Sequence, residues 1–131
     1  MVQRRMNIVI VDDEESVRAL IVEVLVYLNA SITEFGDGLT AWEHIKSSRT
    51  DIVISDVHMD GMKGLELLTV VKGRYPHRKC IIISGDPSME SPAFRLGADA
   101  FLRKPFDVNA LRVAVNQCVE SGSGRAGIKN T

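Results

Sequence analysis

The sequence has few of the features that mark secreted, membrane-spanning or nucleic-acid-binding proteins. Its 131 residues include only two cysteines, Cys80 and Cys118, too few for the disulfide framework of a small secreted domain. Neither cysteine belongs to a CxxC pair or a Cys/His cluster, so no zinc site is indicated. The chain lacks a run of basic residues and its net charge is −1, which argues against nucleic acid or an anionic membrane as a partner. We therefore expect reduced thiols and a cytoplasmic location.

Long hydrophobic segments are also absent from the sequence. The first apolar run extends only from Met6 to Val11, too short for a signal peptide, and a second, residues 17–28, is interrupted by Glu23 and cannot span a bilayer. The hydrophobic fraction of 45% and the charged fraction of 25% are typical of a globular domain. We predict one domain over residues 1–120, and a flexible tail or linker over the Ser/Gly-rich residues 121–131.

The sequence does contain short apolar runs that alternate with longer segments of helical periodicity. Runs of β-branched residues, such as 8–11 and 52–54, predict strands buried on both faces, as in a parallel sheet. Strands are predicted over residues 8–11, 30–35, 52–54, 80–83 and 100–102, and helices over 14–28, 39–48, 65–74 and 108–120, with a short or irregular fourth helix before the last strand. Five strand–helix repeats predict a doubly wound α/β fold, in which a five-stranded parallel sheet has helices on both faces.

Local signals indicate how three of the helices begin. Asp13 is predicted to cap the first helix and Asp107 the last. Pro87 and Pro92 both fall in the fourth helical segment, where an interior proline removes a backbone hydrogen bond. Ser91 is therefore predicted to cap a short helix that has Pro92 at its first position.

Polar residues follow four of the predicted strands at their carboxyl ends. Asp12 and Asp13 follow the first strand, Asp56 the third, Ser84 the fourth and Lys104 the fifth. If the strand order is 2-1-3-4-5, which is assumed for this fold class, these side chains converge at one edge of the sheet. Clustered carboxylates need a cation, and a few oxygen ligands with room for water favour Mg²⁺. Asp56 can then act as the nucleophile towards a phosphoryl group, whose oxygens Lys104 and Ser84 would contact.

Four motifs, taken together and in order, resemble the receiver domain of two-component response regulators. They are Asp12-Asp13, Asp56 within DVHMDGMKG, Ser84-Gly85 and Lys104-Pro105-Phe106. The resemblance covers about residues 6–120 and implies a flavodoxin-like, CheY-like fold. It also implies that Asp56 receives its phosphoryl group from a sensor histidine kinase or a phosphotransfer protein.

The resemblance further implies a metal site. Mg²⁺ would be bound by Asp13, Asp56 and the backbone carbonyl of His58, with Asp12 helping through water. Asp60 stands where the family often has proline, which concerns the shape of this loop rather than its chemistry.

A switch is implied as well. Ser84 would move towards the phosphoryl group while Phe101 turns inward, and Phe101 replaces the frequent tyrosine, so no output can use a hydroxyl there. The fourth helix, fifth strand and fifth helix would then bind a downstream protein; the sequence leaves open whether a homodimer forms there. His58 and Asp86 flank the phosphoryl position in the family, and our hypothesis is that a contact between them slows hydrolysis.

The main alternative is an enzyme, a small Mg²⁺-dependent phosphatase or phosphotransferase with an aspartyl nucleophile. Phosphatases of the haloacid-dehalogenase type carry a second acidic residue two positions after the nucleophile, where this chain has His58. A flavin-binding flavodoxin is disfavoured because the acidic residues 12–15 would repel its phosphate. The complete residue set disfavours a pseudo-receiver. We therefore expect a signalling module, stand-alone or part of a longer regulator, whose only catalysis is its own phosphorylation and dephosphorylation.

Overall fold

A computed structural model describes residues 5–59 and 61–121. Its strands are β1 (Asn7–Val11), β2 (Ser31–Phe35), β3 (Ile52–Asp56), β4 (Lys79–Ser84) and β5 (Ala100–Arg103). Its helices are α1 (Glu15–Val24), α2 (Gly38–Ser47), α3 (Gly64–Arg74), α4 (Glu90–Arg95) and α5 (Val108–Ser121), and 3-10 turns occupy Leu25–Leu28 and Pro87–Met89. The predicted strand and helix positions are confirmed, except that the first helix ends in a 3-10 turn and the fourth helix begins earlier than predicted.

The five strands form one parallel sheet in the order β2-β1-β3-β4-β5. This confirms the doubly wound fold and the strand order that the sequence argument had to assume. The carboxyl ends of the central strands are level with one another, since Val11 pairs with Ser55 and Asp56 pairs with Ile83. The residues that follow these strands therefore emerge at one edge of the sheet.

Side chains alternate along each strand between two hydrophobic clusters, one on each face of the sheet. In β1, for example, Ile8 and Ile10 belong to the cluster beneath α1 and α5, whereas Val9 and Val11 belong to the cluster beneath α2, α3 and α4. All four are almost completely buried. Burial on both faces is what the continuous β-branched run predicted, because a strand in a two-sided sheet has no polar face.

The helix starts correct two predictions and confirm one. Asp13 does not cap α1; the N-cap is Glu14, whose amide donates to Asp12 Oδ1 at 2.9 Å, while Asp13 stays exposed. Ser91 does not cap α4, although the segment is short and irregular as predicted. Asp107 does cap α5, because its Oδ1 accepts a hydrogen bond from the Asn109 amide at 3.3 Å.

The fourth helix begins earlier than predicted because Asp86 starts the preceding turn. Asp86 Oδ1 accepts a hydrogen bond from the Ser88 amide at 3.0 Å, which begins the 3-10 turn three residues before α4. Pro92 is the third residue of α4. A proline fits there because the first amides of a helix have no carbonyl partner within that helix.

None of the described helices is both long enough and apolar enough to cross a membrane. The domain boundary predicted at residue 120 falls at the end of α5, whose last residue is Ser121. The rest of the predicted tail, residues 122–131, lies outside the described residues, and so does Asp60.

Candidate functional site

Three carboxylates meet where β1 and β3 end. Oxygen atoms of Asp12, Asp13 and Asp56 all lie within 4.8 Å of one another. The parallel register explains this, because Asp12 follows Val11, whose partner Ser55 directly precedes Asp56. Asp12 and Asp56 are buried, whereas Asp13 is exposed at the mouth of the group. The convergence that the sequence predicted for these three residues is confirmed.

Lys104 brings a positive charge to the same group from the end of β5. Its Nζ lies 3.1 Å from Asp12 Oδ2 and 3.4 Å from Asp56 Oδ2. Its backbone amide donates to the carbonyl of Ser84 at 2.9 Å, which fixes the lysine beside the end of β4. The predicted neighbourhood of Lys104 and the aspartates is therefore also found.

The environment shifts the pKa of the groups at the centre of the site. Burial and the negative charge of Asp12 raise the pKa of Asp56, although Lys104 and the Val57 amide at 2.9 Å oppose this shift. Burial disfavours the charged form of Lys104, but the nearby carboxylates outweigh it, so the pKa of Lys104 is raised. Lys104 is thus held as a cation, while the ionised form of Asp56 calls for additional positive charge.

The carboxylates offer a suitable set of ligands for a hard divalent cation. Asp12 Oδ2 is buried, and among the described residues its partner is the ammonium of Lys104, 3.1 Å away. A single ammonium shared among several carboxylates leaves some of their lone pairs for a further cation or for water. Three oxygen ligands that leave room for water fit Mg²⁺ better than Ca²⁺, which needs a fuller cage.

Ser84, Phe101 and His58 occupy the positions that the sequence indicated. Ser84 ends β4 fully buried, and its Oγ accepts a hydrogen bond from the Asp86 amide at 3.0 Å. Phe101 is partly buried against the cluster beneath α2, α3 and α4. His58 follows β3 with its side chain exposed.

The hypothesised contact between His58 and Asp86 is not found among the described residues. Asp86 Oδ1 instead accepts hydrogen bonds from the amide and the hydroxyl of Ser88, at 3.0 and 2.7 Å. These bonds lower the pKa of Asp86, to which the charge of His58 contributes least. The carboxylate is used for a local turn.

The structure also shows three contributors to the site that sequence reasoning missed. Glu14 reaches Lys104, with 3.4 Å between Oε1 and Nζ. Arg18 donates from Nη1 to the carbonyl of Asp12 at 2.6 Å. Gly64 packs so closely against the end of β3 that a Cβ there would collide with the carbonyl oxygen of Asp56. Only the Gly64 position carried a sequence signal, since it begins a helix directly after the loop that follows Asp56.

Comparison with known proteins agrees with this geometry. A sequence profile of the response regulator receiver domain matches residues 8–116, most of the chain. The chain belongs to this family. The matched range contains the three aspartates and Lys104, so the site lies within the receiver domain itself.

Curated relatives of this receiver domain are longer proteins. The DNA-binding transcriptional regulator NtrC of Escherichia coli K12 is 31% identical over 112 residues, covering 84% of this chain and 24% of NtrC. The regulatory protein LuxO of Vibrio vulnificus YJ016 is 31% identical over 115 residues, covering 86% of this chain and 25% of LuxO. The receiver domain thus spans about a quarter of the length of these relatives.

Two solved receiver domains match this chain along nearly their whole length. The signal receiver domain of an HD domain-containing protein from Pseudomonas fluorescens Pf-5 has a TM-score of 0.86 and 29% identity, covering 92% of this chain and 99% of the other. The receiver domain of NtrX from Brucella abortus has a TM-score of 0.80 and 29% identity, covering 87% and 98%. The chain is therefore a receiver domain of the kind used in two-component signalling.

Proposed function

We propose that Asp56 is the residue on which this receiver domain accepts a phosphoryl group. The observation that supports this assignment is the grouping of Asp12, Asp13 and Asp56 within 4.8 Å, beside the ammonium of Lys104. Of the three aspartates, Asp56 is the one that is buried and also belongs to a strand paired with β4. Ser84 is the last residue of β4, so its hydroxyl lies at the same edge of the sheet. The donor would be a sensor histidine kinase or a phosphotransfer protein.

In the proposed reaction an oxygen of the Asp56 carboxylate attacks the phosphorus atom of the donor. The bond between phosphorus and the donor's imidazole nitrogen breaks, and its electron pair stays with the nitrogen. The product is an acyl phosphate on Asp56 and a neutral imidazole on the donor, because the other ring nitrogen of the phosphorylated imidazole carries a proton when the bond breaks. Lys104 and the hydroxyl of Ser84 would each contact a phosphoryl oxygen, so that charge on the group in transfer is stabilised.

The metal that fits this site is Mg²⁺. Asp13, Asp56 and the backbone carbonyl of His58 would hold it, with Asp12 bound through water. When bound there, Mg²⁺ supplies positive charge that offsets repulsion between the carboxylates and the incoming phosphoryl group. Burial and the negative charge of Asp12 raise the pKa of Asp56, and a cation bound there would oppose both effects by stabilising the ionised carboxylate.

The output surface would be the one formed by α4, β5 and α5. An open groove of about 530 Å³ lies there and is lined in part by Phe94, Phe101 and Val113. Phe94 and Val113 are both exposed, so apolar surface is available to a partner. We propose that Ser84 moves towards the phosphoryl group and that Phe101 turns inward. This change would alter the affinity of the surface for a downstream protein or for a second copy of the chain.

A signalling role is favoured over the enzymatic alternative. Receiver-domain membership is shown for most of the chain, and His58 takes the position at which the dehalogenase-type phosphatases carry an acid. We propose that catalysis is confined to the domain's own phosphorylation and hydrolysis. The cysteines are unpaired and buried, which fits the reducing cytoplasm that we propose as its location.

Intact-mass measurement after incubation with a small acyl phosphate and Mg²⁺ tests the assignment. We expect the wild type to gain one phosphoryl group, and Asp56→Asn to gain none. Asp107→Asn is the matched control, since asparagine also caps helices and Asp107 lies outside the acidic group. Equal labelling of wild type and Asp56→Asn would place the acceptor elsewhere.

A further inference from the structure

The ammonium of Lys104 lies among three carboxylates that differ greatly in exposure. Its Nζ is 3.1 Å from Asp12, 3.4 Å from Asp56 and 3.4 Å from Glu14. The side chains of Asp12 and Asp56 are 1% and 7% exposed, whereas that of Glu14 is 61% exposed. Lys104 therefore bridges a buried pair and a carboxylate at the rim.

A divalent cation beside the buried pair would change the partners of Lys104. The cation and the ammonium have charges of the same sign, and both are attracted to the carboxylates of Asp12 and Asp56. Like charges a few ångströms apart repel, so the divalent cation weakens the interaction of the ammonium with these carboxylates, and the ammonium weakens that of the cation. The backbone of Lys104 is held by its bond to Ser84, so the adjustment falls to the lysine side chain.

Glu14 is well placed to receive the displaced ammonium. Its amide donates to Asp12 Oδ1 at 2.9 Å, and its carbonyl accepts from the amides of Val17 and Arg18 at 3.1 and 3.2 Å. These bonds fix its backbone beside the acidic group while its side chain remains largely exposed. Among the three carboxylates that contact Lys104, Glu14 is the one outside the metal-binding group.

We propose that Glu14 is the positioning residue for Lys104, which it holds at the rim of the pocket when a divalent cation binds within the group of Asp12, Asp13 and Asp56. This inference rests on the proposed function. The ammonium held by Glu14 stays close to the site where a phosphoryl group would form on Asp56, but leaves the space between the buried carboxylates to the cation. Glu14 thereby favours cation binding without being a ligand.

Calorimetric titration with Mg²⁺ tests the proposal without requiring any phosphorylation. We expect Glu14→Gln to weaken Mg²⁺ binding about 2- to 5-fold more than Glu15→Gln does, the range expected for an exposed ion pair. Glu15 is the matched control, since it has the same charge, is exposed and begins the same helix. Glu14→Asp keeps the charge but shortens the reach, so it should weaken binding as Glu14→Gln does.

Repeating the titration in a Lys104→Met background shows whether the effect passes through the lysine. There, Glu14→Gln should weaken Mg²⁺ binding no more than Glu15→Gln does, because no ammonium remains to be positioned. If Glu14→Gln still weakens Mg²⁺ binding by its full factor in the Lys104→Met background, the proposal is wrong. It is also wrong if the Glu14 and Glu15 variants bind Mg²⁺ with the same affinity when Lys104 is present. A wild type that binds no Mg²⁺ would overturn the proposed metal site as well, whereas normal wild-type binding with silent Glu14 variants would overturn this inference alone.

Discussion

Replacing Lys104 with methionine measures how much its ammonium stabilises the metal-free pocket. The substitution keeps an unbranched apolar side chain but removes the positive charge that lies 3.1 Å from Asp12 and 3.4 Å from Asp56. Both aspartates are buried, so two neighbouring negative charges would be left with little access to water. We expect Lys104→Met to be less stable than the wild type at neutral pH.

The distances set the size of this effect. At an effective dielectric constant of about 20, each of the two charge pairs gains about 5 kcal/mol of attraction. Removal of the three charged groups from water offsets much of that gain. The side chain of Lys104 is 22% exposed, so the loss should be smaller than the roughly 3–5 kcal/mol typical of fully buried pairs. We expect the free energy of unfolding to fall by about 2 kcal/mol, and the deficit to shrink when Mg²⁺ saturates the carboxylates.

Urea denaturation followed by the fluorescence of Trp42, the only tryptophan, measures this free energy. Lys79→Met is the control, because Lys79 is 24% exposed and lies 3.9 Å from an Asp99 oxygen. That variant should lose no more than about 1 kcal/mol, as expected for an exposed pair. Equal losses in the two variants would refute the reasoning, as would a Lys104→Met deficit that saturating Mg²⁺ leaves unchanged.

Three further predictions concern the packing, a thiol and a helix cap. Gly64→Ala should destabilise the fold by about 1–3 kcal/mol, because the added Cβ would collide with Asp56. Gly73→Ala adds a Cβ that meets no atom within 4 Å, so it should stabilise α3 by about 0.5–1 kcal/mol. Urea denaturation of both variants measures these changes in the free energy of unfolding. Burial raises the pKa of Cys80 to about 12, so alkylation at neutral pH, followed by mass spectrometry, should be slow until the protein unfolds. Asp37→Ala should lower the free energy of unfolding by about 1 kcal/mol at neutral pH. Hydrogen bonds from the first turn of α2 lower the pKa of Asp37, so the part of this loss that depends on the negative charge should be fully present above the ordinary aspartate pKa and should disappear as the pH falls through the lowered one.

Each of these predictions has a result that would contradict it. Similar stability changes in Gly64→Ala and Gly73→Ala would show that the contact with Asp56 is not decisive. Rapid labelling of Cys80 in the folded state would contradict its burial. A deficit of Asp37→Ala that stays at full size in acid, where the carboxyl is protonated in both states, would show that the cap does not act through its charge.

The strands could be predicted from the sequence because their signal is local. A β-branched run followed directly by Asp12 or Asp56 identifies both a buried strand and its carboxyl end. The strand order had to be assumed, because it depends on which helices pack against each face of the sheet. Local sequence patterns do not determine that packing. Once the order is given, the convergence of the aspartates with Lys104 follows from the register.

The helix starts were harder to predict because neighbouring residues satisfied the same pattern. Asp12 and Asp13 both precede α1, and the prediction selected Asp13 as the cap, whereas Asp12 accepts the hydrogen bond from the Glu14 amide. Backbone direction at the end of β1 decides between them, and it is not visible in the sequence. The contact between Glu14 and Lys104 was missed for a similar reason, since it joins residues 90 positions apart.

Chemical trapping tests the central claim most directly. After phosphorylation with a small acyl phosphate and Mg²⁺, borohydride reduces an aspartyl phosphate to an alcohol, and peptide mass spectrometry locates the modified residue. We predict homoserine at position 56 and at no other position, with none formed when Mg²⁺ is chelated. Homoserine at another aspartate, or none at all under conditions in which intact mass shows phosphorylation, would contradict the assignment of Asp56 as the phosphoacceptor.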